Sequence, residues 1–158
     1  MTPEQFRAAL SQWPSGVSVV TSLDGITPVG MTVSAFFSVS LAPPLVAVSL
    51  DREAATLAVI LESGRFAVNV LSKDQWMLSN RFATAHESKR FDGVPLHAEP
   101  AAQSPLLAGA VMHLDCALDA AHEAGDHVLC LGRVCLAQSR IGQPLLFHAS
   151  RYHRLEPL

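Results

Sequence analysis

The stretch PVGMTVSAFFSVSLAPPLVAVSLD, residues 28–51, contains two adjacent strand signals. Apolar runs rich in Val, Phe and Leu flank Ala42-Pro43-Pro44, and this breaker predicts a turn between two strands. Small hydroxyl side chains recur along both runs, at Thr32, Ser34, Ser38, Ser40 and Ser49. We expect these strands to offer backbone N–H groups and short hydroxyls to a planar, phosphorylated ligand, although Ser and Thr are also ordinary on a half-buried strand face.

Strand patterns extend from this stretch in both directions. A first strand is predicted at residues 16–23, and after a turn one long strand at 27–39, in which Gly30 marks a bulge or a close backbone approach. Further strands are predicted at residues 45–50, 65–71, 111–123, 127–139, 145–148 and 152–155. The strands at 111–123 and 127–139 form a hairpin with Ala124-Gly125-Asp126 at its tip.

Three short helices are predicted, at residues 2–13, 54–63 and 72–82, and the first and third begin with capping boxes. The apolar residues that share one face of the first helix are Phe6, Leu10 and Trp13. Those expected to point inward from the second helix are Leu57, Ile60 and Leu61. Residues 84–103 are polar and contain Gly and Pro, so we expect a long loop there, which is often functional.

The pattern predicts a mainly β chain of seven or eight strands. Turns separate the strands more often than helices do, which argues against a doubly wound parallel sheet and favours an antiparallel barrel. The length of 158 residues fits one domain, which we expect to span residues 1–158.

Composition excludes several function classes. Apolar residues make up 49% of the chain and charged residues 16%, with a net charge of −3, so we expect neither disorder nor a nucleic-acid-binding surface. We find no secretory signal pattern and no apolar run long enough to span a bilayer, and therefore expect a cytoplasmic protein without membrane contact. The three cysteines, Cys116, Cys130 and Cys135, lie in apolar runs and are expected to be buried thiols. Cys130 and Cys135 do not form a zinc knuckle, because no second pair completes it, and we interpret His148 and His153 as exposed or hydrogen-bonding histidines, so we expect no metal.

Three charged or aromatic clusters join the hydroxyl-rich strands as candidate site features. They are Asp51-Arg52-Glu53 after an apolar strand, Gly125-Asp126-His127 at the hairpin tip, and Arg151-Tyr152-His153-Arg154 near the C-terminus. Each also fits a plain structural role as a solvated turn or terminal strand. At the hairpin tip the aspartate can orient the histidine, which suits a polar contact with a reacting group near neutral pH.

An ordered set of motifs resembles the short-chain, NAD(P)H-dependent flavin reductases, which have an FMN-binding split barrel. The matching segments are PVGMTVSAF at 28–36, SVS at 38–40, PPLV at 43–46, SGRFAVNVL at 63–71, RFA at 81–83, RF at 90–91, GDH at 125–127, GRV at 132–134 and RYH at 151–153. Each segment is weakly specific alone, but together they cover nearly the whole chain in order. Ala35 and Ala55 depart from the usual pattern, where a serine and a longer polar residue are common.

The resemblance implies roles for individual residues. It places flavin contacts at Gly30, Met31, Thr32, Val33, Ser34, Ala35, Ser49, Leu50, Asp51, Arg52, Thr56, Arg81, Phe82 and Ala83. It places the nicotinamide nucleotide and the rim of the site at Arg90, Phe91, His127, Tyr152 and His153, with His127 beside the nicotinamide.

The resemblance also implies the reaction: hydride passes from nicotinamide C4 to flavin N5 while the rings are stacked roughly 3–3.5 Å apart. The expected cofactors are FMN or FAD, with NADH or NADPH as co-substrate. A homodimer and a separate oxygenase that receives the reduced flavin are the expected partners.

Two alternatives remain open at this point. A non-catalytic flavin carrier or redox sensor has no need of the nicotinamide residues Arg90 and His127. An oxidase similar to pyridoxamine-phosphate oxidases needs a basic phosphate cradle, yet Lys occurs only at positions 73 and 89.

Overall fold

Antiparallel strands dominate the computed structural model, which describes residues 1–156, so positions 157 and 158 of the expected domain lie outside the described residues. The described elements are, in order, α1 Pro3–Leu10, β1 Ser15–Gly16, β2 Ser18–Asp24, β3 Thr27–Val33, β4 Phe36–Leu41, β5 Pro44–Asp51, α2 Ala55–Ser63, β6 Arg65–Val70, α3 Trp76–Thr84, β7 Met112–Ala124, β8 His127–Ser139, β9 Leu145–His148 and β10 Arg151–Arg154. Short 3₁₀ turns occupy Lys73–Gln75 and Glu87–Lys89.

A seven-stranded sheet in the order β3-β2-β6-β7-β8-β5-β4 forms the body of the fold. Strands β3 and β4 lie at its opposite edges, yet only Ser34 and Ala35 separate them along the chain. A link this short spans about 11 Å at most, so the sheet must curl until its two edges nearly meet at this corner. No ladder joins β3 to β4 within residues 1–156, and the curled sheet is therefore not closed by hydrogen bonds. A smaller sheet, β1-β9-β10, completes the fold.

Each face of the curled sheet carries a separate hydrophobic core. Within the curl, Val20, Val48, Phe66 and other buried side chains pack with Ile60 of α2. On the outer face, a second set of buried residues packs with α3, namely Val17, Val19, Leu71, Phe82, Leu107 and Leu145. Alternation along β2, with Val19 in the outer core and Val20 in the inner one, follows from the two-residue period of a strand.

Capping interactions place the helices as the sequence predicts. Thr2 and Gln5 form a reciprocal capping box at the start of α1, and Gly64 ends α2 in the left-handed conformation with φ of 68°. The first helix ends at Leu10 rather than residue 13, and none of its residues is buried. Among residues 1–156, we find no helix with the length and apolar character needed to cross a membrane.

Buried polar side chains attach the long loop before β7 to the sheet. Asn69, which is fully buried, donates to Val19 O at 3.1 Å and accepts from the Leu107 N–H at 2.7 Å. Thr21 Oγ1 donates to Pro105 O at 2.6 Å. Because an unsatisfied buried polar group costs about 1–3 kcal/mol, these bonds hold the loop in one position.

The mainly β, antiparallel prediction is confirmed, and several details differ from expectation. The long strand predicted at 27–39 is two strands, because the chain must turn at Ser34-Ala35 to pass between the two sheet edges. Ten strands are described rather than seven or eight. Leu61 lies on the solvent face of α2 and Cys135 is exposed, so both inward predictions are wrong, whereas Cys116 and Cys130 are buried.

Gly132 provides a sharp test of the packing inside the curl. A Cβ at this position would lie 2.9 Å from Cys116 Cβ and 2.9 Å from Phe66 Cε1, closer than real contacts allow. We expect Gly132→Ala to lower the free energy of unfolding by about 1–3 kcal/mol, measured by urea denaturation. Gly16→Ala is the matched control, because a Cβ at Gly16 meets nothing within 4 Å. Equal effects of the two substitutions would contradict this packing.

Candidate functional site

A cleft of about 840 Å³ separates α1 from the sheet, and we call it the α1 cleft. Its volume lies in the range of about 300–1,000 Å³ that is typical of small-molecule sites. The residues that line it are Pro3, Phe6, Arg7, Leu10, Ser11, Trp13, Ser15, Ser34, Ala35, Ser49, Ala124, Asp126, His127, Phe147 and Ser150. Apolar and aromatic walls with a few hydroxyls and one histidine suit a flat, largely apolar ring that carries polar edges.

The link between β3 and β4 forms one wall of the α1 cleft. Ala35 O accepts a hydrogen bond from the Ser49 N–H at 3.0 Å, and Ser34 O accepts one from the Phe36 N–H at 3.1 Å. Within residues 1–156 the N–H groups of Ser34 and Ala35 have no acceptor, and both residues are exposed. Two free amide donors beside a small alanine side chain can approach a carbonyl or an anionic ring edge closely.

The tip of the β7–β8 hairpin also lines the α1 cleft, beside the strand β5 that carries Ser49. His127 Nδ1 is hydrogen-bonded to Asp126 Oδ1 at 2.7 Å, and the His127 side chain is 43% exposed. The hydrogen bond with His127 lowers the pKa of the Asp126 carboxyl, and the charges of His127 and Arg52 lower it further. Asp126 therefore stays ionised near neutral pH and holds the imidazole ring by its Nδ1 side, which leaves Nε2 free for a ligand.

Arg52 braces this hairpin tip. Its guanidinium donates to Gly125 O at 2.8 Å and contacts Glu123 Oε2 at 3.3 Å. The backbone N–H of Arg52 donates to Asp126 O at 3.0 Å. The neighbouring Asp51 accepts the Glu53 N–H at 2.8 Å and so closes the turn that follows β5. The cluster Asp51-Arg52-Glu53 thus supports the turn that carries His127, and the resemblance implies flavin contacts at Asp51 and Arg52.

A second cleft, of about 360 Å³, lies between α2 and the loop after α3, and Gly30, Ala55, Thr56, Arg90 and Phe91 are among its lining residues. Arg90 crosses from the loop to β3, where its Nη1 donates to Gly30 O at 2.8 Å, while its Nε donates to Ala85 O at 3.1 Å. Its guanidinium thereby fixes the loop against the sheet. The backbone at Gly30 lies close to the neighbouring strand β2, because a Cβ at Gly30 would lie 3.0 Å from Val20 O.

Two side chains of α3, one aromatic and one arginine, contact the same loop and hold it in place. Phe82 and Phe91 meet edge to face with ring centroids 4.9 Å apart, and Arg81 Nη1 donates to Asp92 O at 2.8 Å. Ala83 is exposed on α3 beside them. This arrangement places Arg81, Phe82, Arg90 and Phe91 in one connected unit.

Tyr152 and His153 belong to β10, and Tyr152 contacts α3. Thr32 Oγ1 donates to Ser79 O at 2.6 Å, and Ser79 Oγ is hydrogen-bonded to the Tyr152 hydroxyl at 2.9 Å, so β3 and β10 are joined through α3. His153 is hydrogen-bonded to His148 O at 3.2 Å and lines a third cleft of about 480 Å³ with Trp76 and Arg154.

The structure therefore distributes the predicted site residues over three neighbouring regions. Ser34, Ala35, Ser49 and His127 meet in the α1 cleft. The side chains of Val33 and Leu50 are buried in the inner core, so only the backbone of these two residues can face a ligand, whereas Met31 is partly buried against that core. The functional roles of all these residues remain predictions.

Sequence reasoning missed the contribution of α1 and of the β9–β10 turn to this cleft. Phe6, Leu10 and Trp13 matched an ordinary helix face that packs on a core, and no local signal distinguishes that face from a cleft wall. The turn at Ala149 and Ser150, with positive φ values of 49° and 60°, contributes Ser150 to the same wall.

Other titratable groups do not supply a nucleophile. Burial raises the pKa of the Cys116 thiol to about 12 and that of Cys130 to about 11, so both thiols stay protonated at neutral pH. Burial also lowers the pKa of His113. Among the described residues no three His, Cys, Asp or Glu side chains group as metal ligands.

The model of the flavin reductase like domain matches residues 10–156. The chain belongs to the flavin reductase family. The match runs through β1–β10 and the sheet side of the α1 cleft, and the resemblance seen in the sequence motifs is confirmed.

Two relatives with named activities agree with this family assignment. It is 38% identical over 156 residues to the reductase subunit of a flavin-dependent monooxygenase from Rhodococcus jostii, a match that covers 98% of this chain and 79% of the relative. It is 41% identical over 162 residues to an NADH-dependent flavin reductase from a Rhodococcus species, covering 100% and 89% of the two chains.

A solved structure shares the fold. The NADH:FAD oxidoreductase of Streptomyces globisporus, in complex with NAD and FAD fragments, superposes with a TM-score of 0.90 at 37% identity, covering 98% of this chain and 93% of that one.

Proposed function

We propose that this chain is an NADH-dependent flavin reductase that supplies reduced FMN or FAD to a separate monooxygenase component. The observation that carries this proposal is the α1 cleft, whose lining brings Ser34 and Ala35, with amides that find no acceptor within residues 1–156, together with the Asp126–His127 pair. The relatives named as NADH-dependent flavin reductases and as a monooxygenase reductase subunit support the same activity.

A flavin held by these residues would supply the redox chemistry, accepting a hydride from the reduced nicotinamide. The N–H groups of Ser34 and Ala35 would donate to the pyrimidine edge of the flavin and stabilise the negative charge that develops there. Ser49 adds a hydroxyl to the same wall. The apolar walls exclude water, and His127 Nε2 orients the nicotinamide carboxamide without transferring a proton.

The first test is steady-state oxidation of NADH and NADPH with added FMN, FAD or riboflavin, followed by absorbance at 340 nm. We expect flavin-dependent oxidation with a preference for NADH, because the named relatives use NADH. Flavin binding without oxidation of either nucleotide would favour the alternative of a flavin carrier or redox sensor and would overturn the enzyme proposal.

His127 can be tested separately from flavin binding. We expect His127→Ala to lower kcat/KM for NADH by about tenfold, the value of one hydrogen bond of ~1.4 kcal/mol, while the flavin Kd from fluorescence quenching stays unchanged. His122→Ala is the control, because His122 is exposed on the adjacent β7 and does not line the α1 cleft. Unchanged kinetics of His127→Ala would contradict the assigned role.

We further propose that the protein is a homodimer that pairs through β4 and works in the cytoplasm. β4 is an edge strand with three exposed apolar side chains, Phe37, Val39 and Leu41, and such an edge tends to associate unless it is covered.

The proposed location in the cytoplasm agrees with the three free cysteines, because thiols stay reduced in that compartment. Turnover also requires modest flavin affinity, since reduced flavin must leave for the oxygenase.

The dimer proposal predicts that Leu41→Glu weakens association. Leu41 and Ile26 are both 96% exposed, but Ile26 lies in the turn between β2 and β3, so Ile26→Glu is a matched control. We expect size-exclusion chromatography with light scattering to show a dimer for the wild type and Ile26→Glu and a shift toward monomer for Leu41→Glu. A monomeric wild-type protein would reject the proposal.

A further inference from the structure

α1 and the turn that follows it present an apolar face that the rest of the described chain leaves open. Phe6, Leu10 and Trp13 are 49%, 54% and 74% exposed, and all three line the α1 cleft. No residue of α1 is buried, so packing against the core does not explain why a stripe of large apolar side chains is placed there.

Backbone bonds at its C-terminal end hold α1 over the cleft. Ser11 O accepts the Ala149 N–H at 2.8 Å, and the β1–β9 pairing at Ser15 and Gly16 fixes the chain just beyond. The helix is therefore attached at one end to the β9–β10 turn, while its apolar face looks across the cleft toward the wall that carries His127. The space between is large enough for a small molecule.

Arg7 gives this apolar face a positive charge. It lines the cleft, and its side chain forms no hydrogen bond or ion pair within residues 1–156. The cleft contains one carboxylate, that of Asp126, and it is already hydrogen-bonded to His127. An apolar wall beside an unpaired guanidinium complements a ligand that joins an aromatic ring to phosphate groups, because guanidinium binds phosphate oxygens through paired N–H donors.

We propose that α1, with Trp13 in the turn just beyond it, is a binding element for the nicotinamide dinucleotide: Arg7 holds its phosphate groups, and Phe6, Leu10 and Trp13 cover the outer side of its rings. This inference rests on the proposed function, since the dinucleotide is the ligand that His127 orients on the facing wall. It assigns affinity for the hydride donor to a helix that contributes nothing to either core, so the site can lose this affinity without losing the fold.

Arg7→Gln tests the phosphate contact with two hydride donors. NADH carries phosphates, whereas 1-benzyl-1,4-dihydronicotinamide has the same reacting ring and none. We expect Arg7→Gln to raise the KM for NADH about tenfold or more, the loss of a charge-assisted hydrogen bond, with kcat and the flavin KM within about twofold. Kinetics with the phosphate-free donor should not change, and Arg7→Lys should recover part of the NADH affinity.

Arg65→Gln is the matched control, because Arg65 is exposed on β6 and outside the cleft. An unchanged KM for NADH in Arg7→Gln, or equal losses with both donors, would overturn the proposal. If the wild type oxidises neither donor in the presence of flavin, the proposed function itself fails. If the wild type is active and Arg7→Gln has the same KM for NADH as the wild type, only the proposed role of α1 is rejected.

Trp13→Ala tests the apolar cover independently. Because the side chain is mostly exposed, we expect the melting temperature to stay within a few degrees of wild type. The KM should rise for both donors, since the ring face is common to them. A normal KM for both donors in this variant would remove the apolar wall from the proposal.

Discussion

The two-residue link at Ser34-Ala35 is the constraint on which the rest of the structure depends. It joins strands at the opposite edges of a seven-stranded sheet, so the sheet has to curl until those edges meet. The curl encloses the inner core around Phe66 and gives α2 a surface to pack on. At the corner itself the chain is too sharply turned to pair on both sides, and its amides remain free for a ligand.

The tip of the β7–β8 hairpin lies beside this corner, with only β5 between them. His127 pairs with Asp51 across the β5–β8 ladder, and Arg52 then reaches over to bind the backbone at Gly125. The resulting wall is rigid and carries a histidine held by an ionised aspartate. Catalysis of hydride transfer needs position more than strong acid–base groups, and this site offers donors and apolar walls on strands whose register is fixed.

Local patterns predicted most elements because their signals are short-range. The ladder between β7 and β8 was predicted within one residue at each end, since two long alternating runs flank a Gly-Asp turn. The break between β3 and β4 was not, because β-branched and aromatic residues continue on both sides of Ser34-Ala35 and nothing local opposes a continuous strand. The inward predictions for Leu61 and Cys135 are wrong for a similar reason: each residue belongs to an apolar run, but within residues 1–156 no neighbouring element covers its side chain.

The sequence by itself determined the strand content, the helix caps at Thr2 and Gly64, the hairpin tip at Asp126-His127 and, through its ordered motifs, the family. Only the tertiary structure decided which of these segments share a cleft. It put Ser34, Ser49 and His127 with the exposed face of α1, and it placed Arg90 against Gly30 in a separate cleft. The physical reason is that strand and cap signals come from neighbouring residues, whereas the meeting of two sheet edges depends on the accumulated curl of seven strands.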